Sequence, residues 1–100
     1  MLTNGFIIGD TARISVALTH PDTGSAVDPG GLTLQVRAPG GSLTTLTYGI
    51  DAAMVKEAVG QFRADIDLAT AGVWHWRWTA SGDNKGVAEG QLTAKASQVL

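Results

Sequence analysis

The chain has 100 residues, 44% hydrophobic and 16% charged, with a formal net charge of -2 and no cysteine. That length supports one compact domain that buries roughly two-thirds of its unfolded surface. The weak negative charge offers no basic field for nucleic acid phosphates, and the lack of thiols excludes disulfides, thiolate-bound zinc and iron–sulfur centres.

The opening run "MLTNGFIIGDTARI" has no basic segment followed by a long apolar stretch. No window approaches the roughly 20 apolar residues that span a bilayer. The expectation is a soluble chain that stays in the cytoplasm and has no membrane partner.

In chain order, "TARISVALT" places Ala12, Ile14, Val16 and Leu18 on one face and Thr11, Arg13, Ser15 and Thr19 on the other, the two-residue period of a half-buried strand. "HPDTGSAVDPGG" then interrupts any strand with Pro21, Asp22, Gly24, Pro29 and Gly30. A second alternating run, "LTLQVRA", turns inward Leu32, Leu34, Val36 and Ala38, and "PGG" at 39–41 closes it. "SLTTLTY" follows as a third strand with Leu43 and Leu46 on opposite faces, the pattern of an edge that needs protection.

Residues 51–58 combine good helix formers, Ala52, Ala53, Met54, Lys56, Glu57 and Ala58, with strand-like neighbours. They are expected to form a short helical turn or a loop carrying a brief strand near Val55. Alternation returns in "QFRADIDL", with Phe62, Ala64, Ile66 and Leu68 inward, and "ATAG" leads to "GVWHWRW". Short alternating strands with turns every 10–15 residues or so predict an all-β sandwich of two antiparallel sheets, about seven strands in a single domain over 1–100.

The three tryptophans occupy alternate positions, so Trp74, Trp76 and Trp78 share one face while Val73, His75, Arg77 and Thr79 share the other. Burying all three is worth on the order of 10 kcal/mol as an upper bound, at about 25 cal/mol per Å² and roughly 150–250 Å² each. Net domain stability is only about 5–15 kcal/mol, so the small apolar residues elsewhere would leave the core underfilled without them.

A hairpin centred near Asp83 pairs positions whose numbers sum to 166. Trp78 then faces Ala88, Trp76 faces Gly90 and Trp74 faces Leu92, while Arg77 meets Glu89 on the outer face as an opposite-charge pair. Two independent features agree on this register. The expected core is Trp74, Trp76, Trp78, Phe62, Ile14, Val16, Leu34, Val36, Ile66 and Leu92, with Trp78, nearest the loop, the partly exposed tryptophan.

Reactive constellations are sparse. His20 and His75 share no ligand spacing, Asp65 and Asp67 lack the cleft that paired-carboxylate chemistry needs, and Asp22 with Asp28 matches no EF-hand spacing. "SGDNKG" and "PGG" do not open a helix after a strand as phosphate loops do. No catalytic residue, metal or cofactor is expected, and the chain is not expected to be an enzyme.

The ordered pattern "GDTARISVALTHPDTGSAVDPGGLTLQVRAPGG", "VGQFRADIDLATAGVWHWRW" and "AEGQLTAKASQVL" resembles the small immunoglobulin-like proteins encoded among the structural genes of tailed bacteriophages, and is similar to filamin-like and bacterial immunoglobulin-like domains. Its most specific parts are "VDP", "GQFRADIDL" and "GVWHWRW". The disulfide of antibody domains is absent, so that branch fits poorly.

The resemblance implies an immunoglobulin-like sandwich without catalytic residues, used in a virion as head decoration, fibre or head–tail component, and assembled in the host cytoplasm. Its partners would be other virion proteins in many copies, engaged by edge-strand addition. Candidate interface residues are Phe6, Ile7 and Ile8, unless these form the first strand of the sandwich, His20 in the loop to Gly31, and Val99 and Leu100 at the C-terminus. The alternatives are a carbohydrate-binding or adhesion module in which Trp78 and His75 stack on sugar rings, and a bacterial chaperone-like sandwich.

Overall fold

A computed structural model describes residues 6–82 and 84–96. The described chain is all-β. Its strands are β1 (Phe6–Ile7), β2 (Thr11–Ala17), β3 (Gly31–Arg37), β4 (Leu43–Thr47), β5 (Met54–Ala58), β6 (Gln61–Asp67), β7 (Gly72–Ser81) and β8 (Gly86–Lys95). Five form one sheet in the order β1-β8-β7-β3-β4, and three form the other in the order β2-β6-β5. Every pairing is antiparallel except the short parallel one between β1 and β8.

The alternation seen in the sequence is the alternation of burial. Ala12 and Ile14 from β2, Phe62 and Ala64 from β6, and Leu32, Leu34 and Val36 from β3 lie between the sheets with Trp74 and Trp78 from β7. Removing these side chains from water is the main stabilising term that holds two sheets face to face. Val16, Ile66, Leu92 and Trp76 are half-buried against the same cluster.

Of the two expectations for residues 51–58, the structure takes the brief strand near Val55 and not the helical turn. Met54–Ala58 is a strand paired with β6 through Met54↔Ala64, Val55↔Arg63 and Lys56↔Phe62. Helix propensity across so few residues is worth only tenths of a kcal/mol each, less than strand pairing together with burial of Met54. The turn that precedes β5 is made by Asp51, whose carboxylate accepts the Thr47 N–H at 2.7 Å while its own N–H donates to the Thr47 carbonyl at 2.9 Å.

The β7–β8 hairpin has the anticipated register: Trp78↔Ala88, Trp76↔Gly90, Trp74↔Leu92 and Arg77↔Glu89. Trp78, expected to be the partly exposed tryptophan, is instead the best covered of the three. Trp78 is 2% exposed and Trp74 8%, whereas Trp76 is the half-buried one. Trp78 lies between Leu34 and Ala88 in the middle of its sheet, facing the second layer. The Trp76 ring instead turns across β8, so close that a Cβ on Gly90 would stand 2.7 Å from Cε2. Distance from the hairpin loop is therefore the wrong guide; the decisive factor is the direction in which each ring leans.

Candidate functional site

One end of the sandwich is a junction of three loops. The Asp28 carboxylate accepts the Gly60 N–H at 2.8 Å and an Nζ–H of Lys56 at 2.6 Å, and the Asp28 carbonyl accepts from Asn84 Nδ2 at 2.7 Å. Around them the Leu18 N–H donates to Gly60 O at 2.7 Å and the Val27 N–H to Leu18 O at 3.1 Å. Gly60 is buried at φ +71°, and a Cβ there would lie 2.6 Å from Leu18 O, so only glycine fits. The "VDP" and "GQF" stretches thus meet in space. Lys56 and the Gly60 N–H hold the Asp28 carboxyl below its ordinary value of 3.8.

This arrangement assigns Asp28 to structure. Asp22 sits in the β2–β3 loop, where its N–H donates to His20 Nδ1 at 3.1 Å. His20 also closes that loop through its backbone, accepting from Gly24 and donating to Ser25. His75 is exposed on the outer face of β7.

Asp65 and Asp67 are neighbours on the outer face of β6, each with its own partner. Asp65 takes a bidentate pair from Arg13 at 2.9 and 3.2 Å plus a contact from Arg63 at 3.3 Å, and Asp67 accepts from Thr11 Oγ1 at 3.0 Å. The Arg13 hydrogen bonds are the main reason the Asp65 carboxyl lies below the ordinary range. Among the described residues no group of three or more His, Asp or Glu side chains is placed to hold a metal ion.

The N-terminal candidates divide. Phe6 and Ile7 form β1, with Phe6↔Ala94 and Ile7↔Lys95, and Phe6 and Ile8 pack against the core while Ile7 is 41% exposed. The apolar run is thus the first strand of the sandwich, and only Ile7 remains on the surface. Val99 and Leu100 lie outside the described residues.

Beside the junction a groove of about 520 Å³ opens between β2 and β8, floored by Val16, Leu18, Leu32, Trp78, Ala80 and Ala88. Trp78 contributes a buried indole N–H that has no hydrogen-bond partner among the described residues, but at 2% exposure it offers no ring face on which a sugar can stack.

The edge strands β5, β2 and β4, and the part of β8 that β1 leaves uncovered, differ in their chemistry. β5 carries Lys56 and Glu57 and a bulge between Lys56 and Ala58, and β2 carries Arg13, all features that discourage pairing with another chain. β4, "LTTLT", has no charge, proline or bulge. On β8 the stretch Val87–Gln91 has one charge, Glu89, and among the described residues its outer edge is paired only from Ala94 onward. Sequence reading identified β4 as an edge; it did not identify β8, because the partners of a strand depend on topology.

The sequence matches no family model and no curated protein.

Proposed function

We propose that this chain is an immunoglobulin-like, non-catalytic structural component of a phage virion, a head decoration, fibre or head–tail component that works through protein–protein contacts in many copies. The observation that carries the immunoglobulin-like part of the reading is the strand order. If β2 to β8 are lettered B, C, C′, D, E, F and G, the two layers read B-E-D and G-F-C-C′, an order that supports an immunoglobulin-type sandwich with one added C′ strand. The resemblance of "GQFRADIDL" and "GVWHWRW" to phage structural proteins supplies the virion assignment, and the uncharged β4 edge supplies a surface for backbone contact with a neighbour.

Immunogold electron microscopy of purified phage particles, with antibody raised against this chain, tests the proposal. Repeated label at one position on head or tail is the expected result. Chain that stays free in the lysate while particles remain unlabelled overturns it.

A further inference from the structure

We propose that the protein pairs with further copies of itself in one direction, the β4 edge of one copy adding antiparallel to the β8 edge of the next, with Thr45 opposite Glu89 and Leu43 opposite Gln91. The inference deepens the edge-contact reading above and rests on it, naming the partner as a second copy and fixing the register.

Direction comes first. β4 is antiparallel to β3, β3 to β7 and β7 to β8, so β4 and β8 run in opposite senses. A copy moved sideways, without being turned over, therefore brings β4 alongside β8 in the antiparallel orientation the rest of the sheet already uses.

The backbone groups match as well. The Tyr48 N–H bonds back to Leu32 O at 3.0 Å, so by alternation Leu43, Thr45 and Thr47 aim their N–H and C=O groups away from β3. The Asp51 carboxylate caps the Thr47 N–H, as that geometry requires, which leaves Leu43 and Thr45 to bond outward. At the opposite edge the Ile8 N–H bonds to Lys95 O at 2.9 Å, so Val87, Glu89 and Gln91 aim their groups out of the sheet. On both edges the residues that bond outward are those with outer-face side chains. Pairing them keeps outer face with outer face and inner with inner, a match that follows from the even number of antiparallel strands, four, that runs from β8 through β7 and β3 to β4.

Side chains choose among the registers that parity allows. With Thr45 opposite Glu89, Leu46 of the incoming strand stands opposite Ala88 at the groove, larger against smaller, and only the shorter Thr44 comes opposite Gly90 beside the Trp76 ring. A shift of two residues one way sets Leu46 against Gly90, which the Trp76 ring already covers, and moves Leu43 up to Thr93 beside β1. The opposite shift carries Leu46 to Gly86 at the hairpin end. A two-fold β8–β8 pairing centred on Glu89 sets that carboxylate against its own copy, a like-charge contact that costs stability. Head-to-tail addition has no such conflict, and because its two surfaces differ it continues into a ring or filament.

Cysteine cross-linking tests the pairing, since the chain has no cysteine of its own. Residues opposed in a hydrogen-bonded antiparallel pair lie about 5.5 Å apart at Cα, within disulfide reach. Mixing the single variants Thr45→Cys and Glu89→Cys under mild oxidant is expected to give a mixed dimer that stops at two chains. The double variant is expected to give a ladder of higher species, and neither single variant alone should cross-link. A Thr45→Pro variant removes only an outward N–H, so it should fold with unchanged tryptophan emission and lose concentration-dependent sedimentation.

Dimers of either single variant alone, at the rate of the mixture, overturn the proposal in favour of two-fold pairing. Absence of mixed dimer from folded variants overturns self-pairing altogether. Labelled particles with no cross-linking remove self-pairing and leave the virion reading, whereas cross-linking without labelled particles removes the virion reading and leaves the pairing geometry.

Discussion

Asp28 and Gly60, 32 residues apart, are joined by a 2.8 Å hydrogen bond from the Gly60 N–H to Asp28 Oδ1, and this contact ties the β2–β3 loop to the β5–β6 turn. Lys56 reaches the other carboxylate oxygen and Asn84 the Asp28 carbonyl, so β5 and the β7–β8 hairpin end at the same point. A carboxylate that satisfies a part-buried N–H and an ammonium together is a charge-assisted brace. The Asp28→Ala variant should lower the melting temperature more than Asp28→Asn, which keeps an oxygen acceptor for Gly60. Circular dichroism melts of the two variants make the comparison.

Acid should weaken this brace and the Arg13–Asp65 pair together. Both carboxyls bind protons less readily in the folded chain than their ordinary value of 3.8. Their contribution is thus fully present above that value and disappears as pH falls through the lower folded-state values. Melting temperatures measured from neutral pH down to about pH 2 should fall along an acid limb. The double variant Asp28→Asn with Asp65→Asn should show a lower plateau and a flatter limb; an unchanged limb would place the acid sensitivity elsewhere.

Gly60→Ala tests backbone geometry alone. At φ +71° an alanine costs about 1–2 kcal/mol in the left-handed region before any clash. The approach of its Cβ to 2.6 Å from Leu18 O adds further strain. The urea midpoint should therefore fall clearly with an unchanged slope.

The three tryptophans should separate by environment. Trp78→Ala is expected to cost about 3–5 kcal/mol, as for a large core side chain, and Trp76→Ala less, because its ring is only half-buried. In variants that keep one tryptophan each, Trp78 should emit at shorter wavelength and resist iodide, while Trp76 should be quenched more readily. Equal quenching of the two would contradict the burial described above.

Arg77 and Glu89 stand 3.6 Å apart with side chains 49% and 66% exposed. Solvent screening limits such a pair to about 0.2–1 kcal/mol. A double-mutant cycle through Arg77→Ala and Glu89→Ala should give coupling in that range and diminish with added salt.

Much of this architecture was legible in the chain itself. The period of two in "TARISVALT", "LTLQVRA" and "QFRADIDL" assigned inward faces, because a strand cannot bury one face without repeating the burial every second residue. The hairpin register followed from large residues opposite small ones and from Arg77 opposite Glu89. These properties are local or span a single turn.

Tertiary structure alone decided the rest. It chose between the helical turn and the strand that the sequence left open at Met54–Ala58, because β6 lay ready to pair with it. It made Trp78 the best covered indole, because burial depends on the opposing sheet and on the lean of the ring. Asp28 met Gly60, and β4 came to lie on the opposite side of one sheet from the Val87–Gln91 stretch of β8, through the order in which strands separated by tens of residues come to lie side by side. Periodicity reports which face of a strand is buried; it carries no information about which strand is the neighbour.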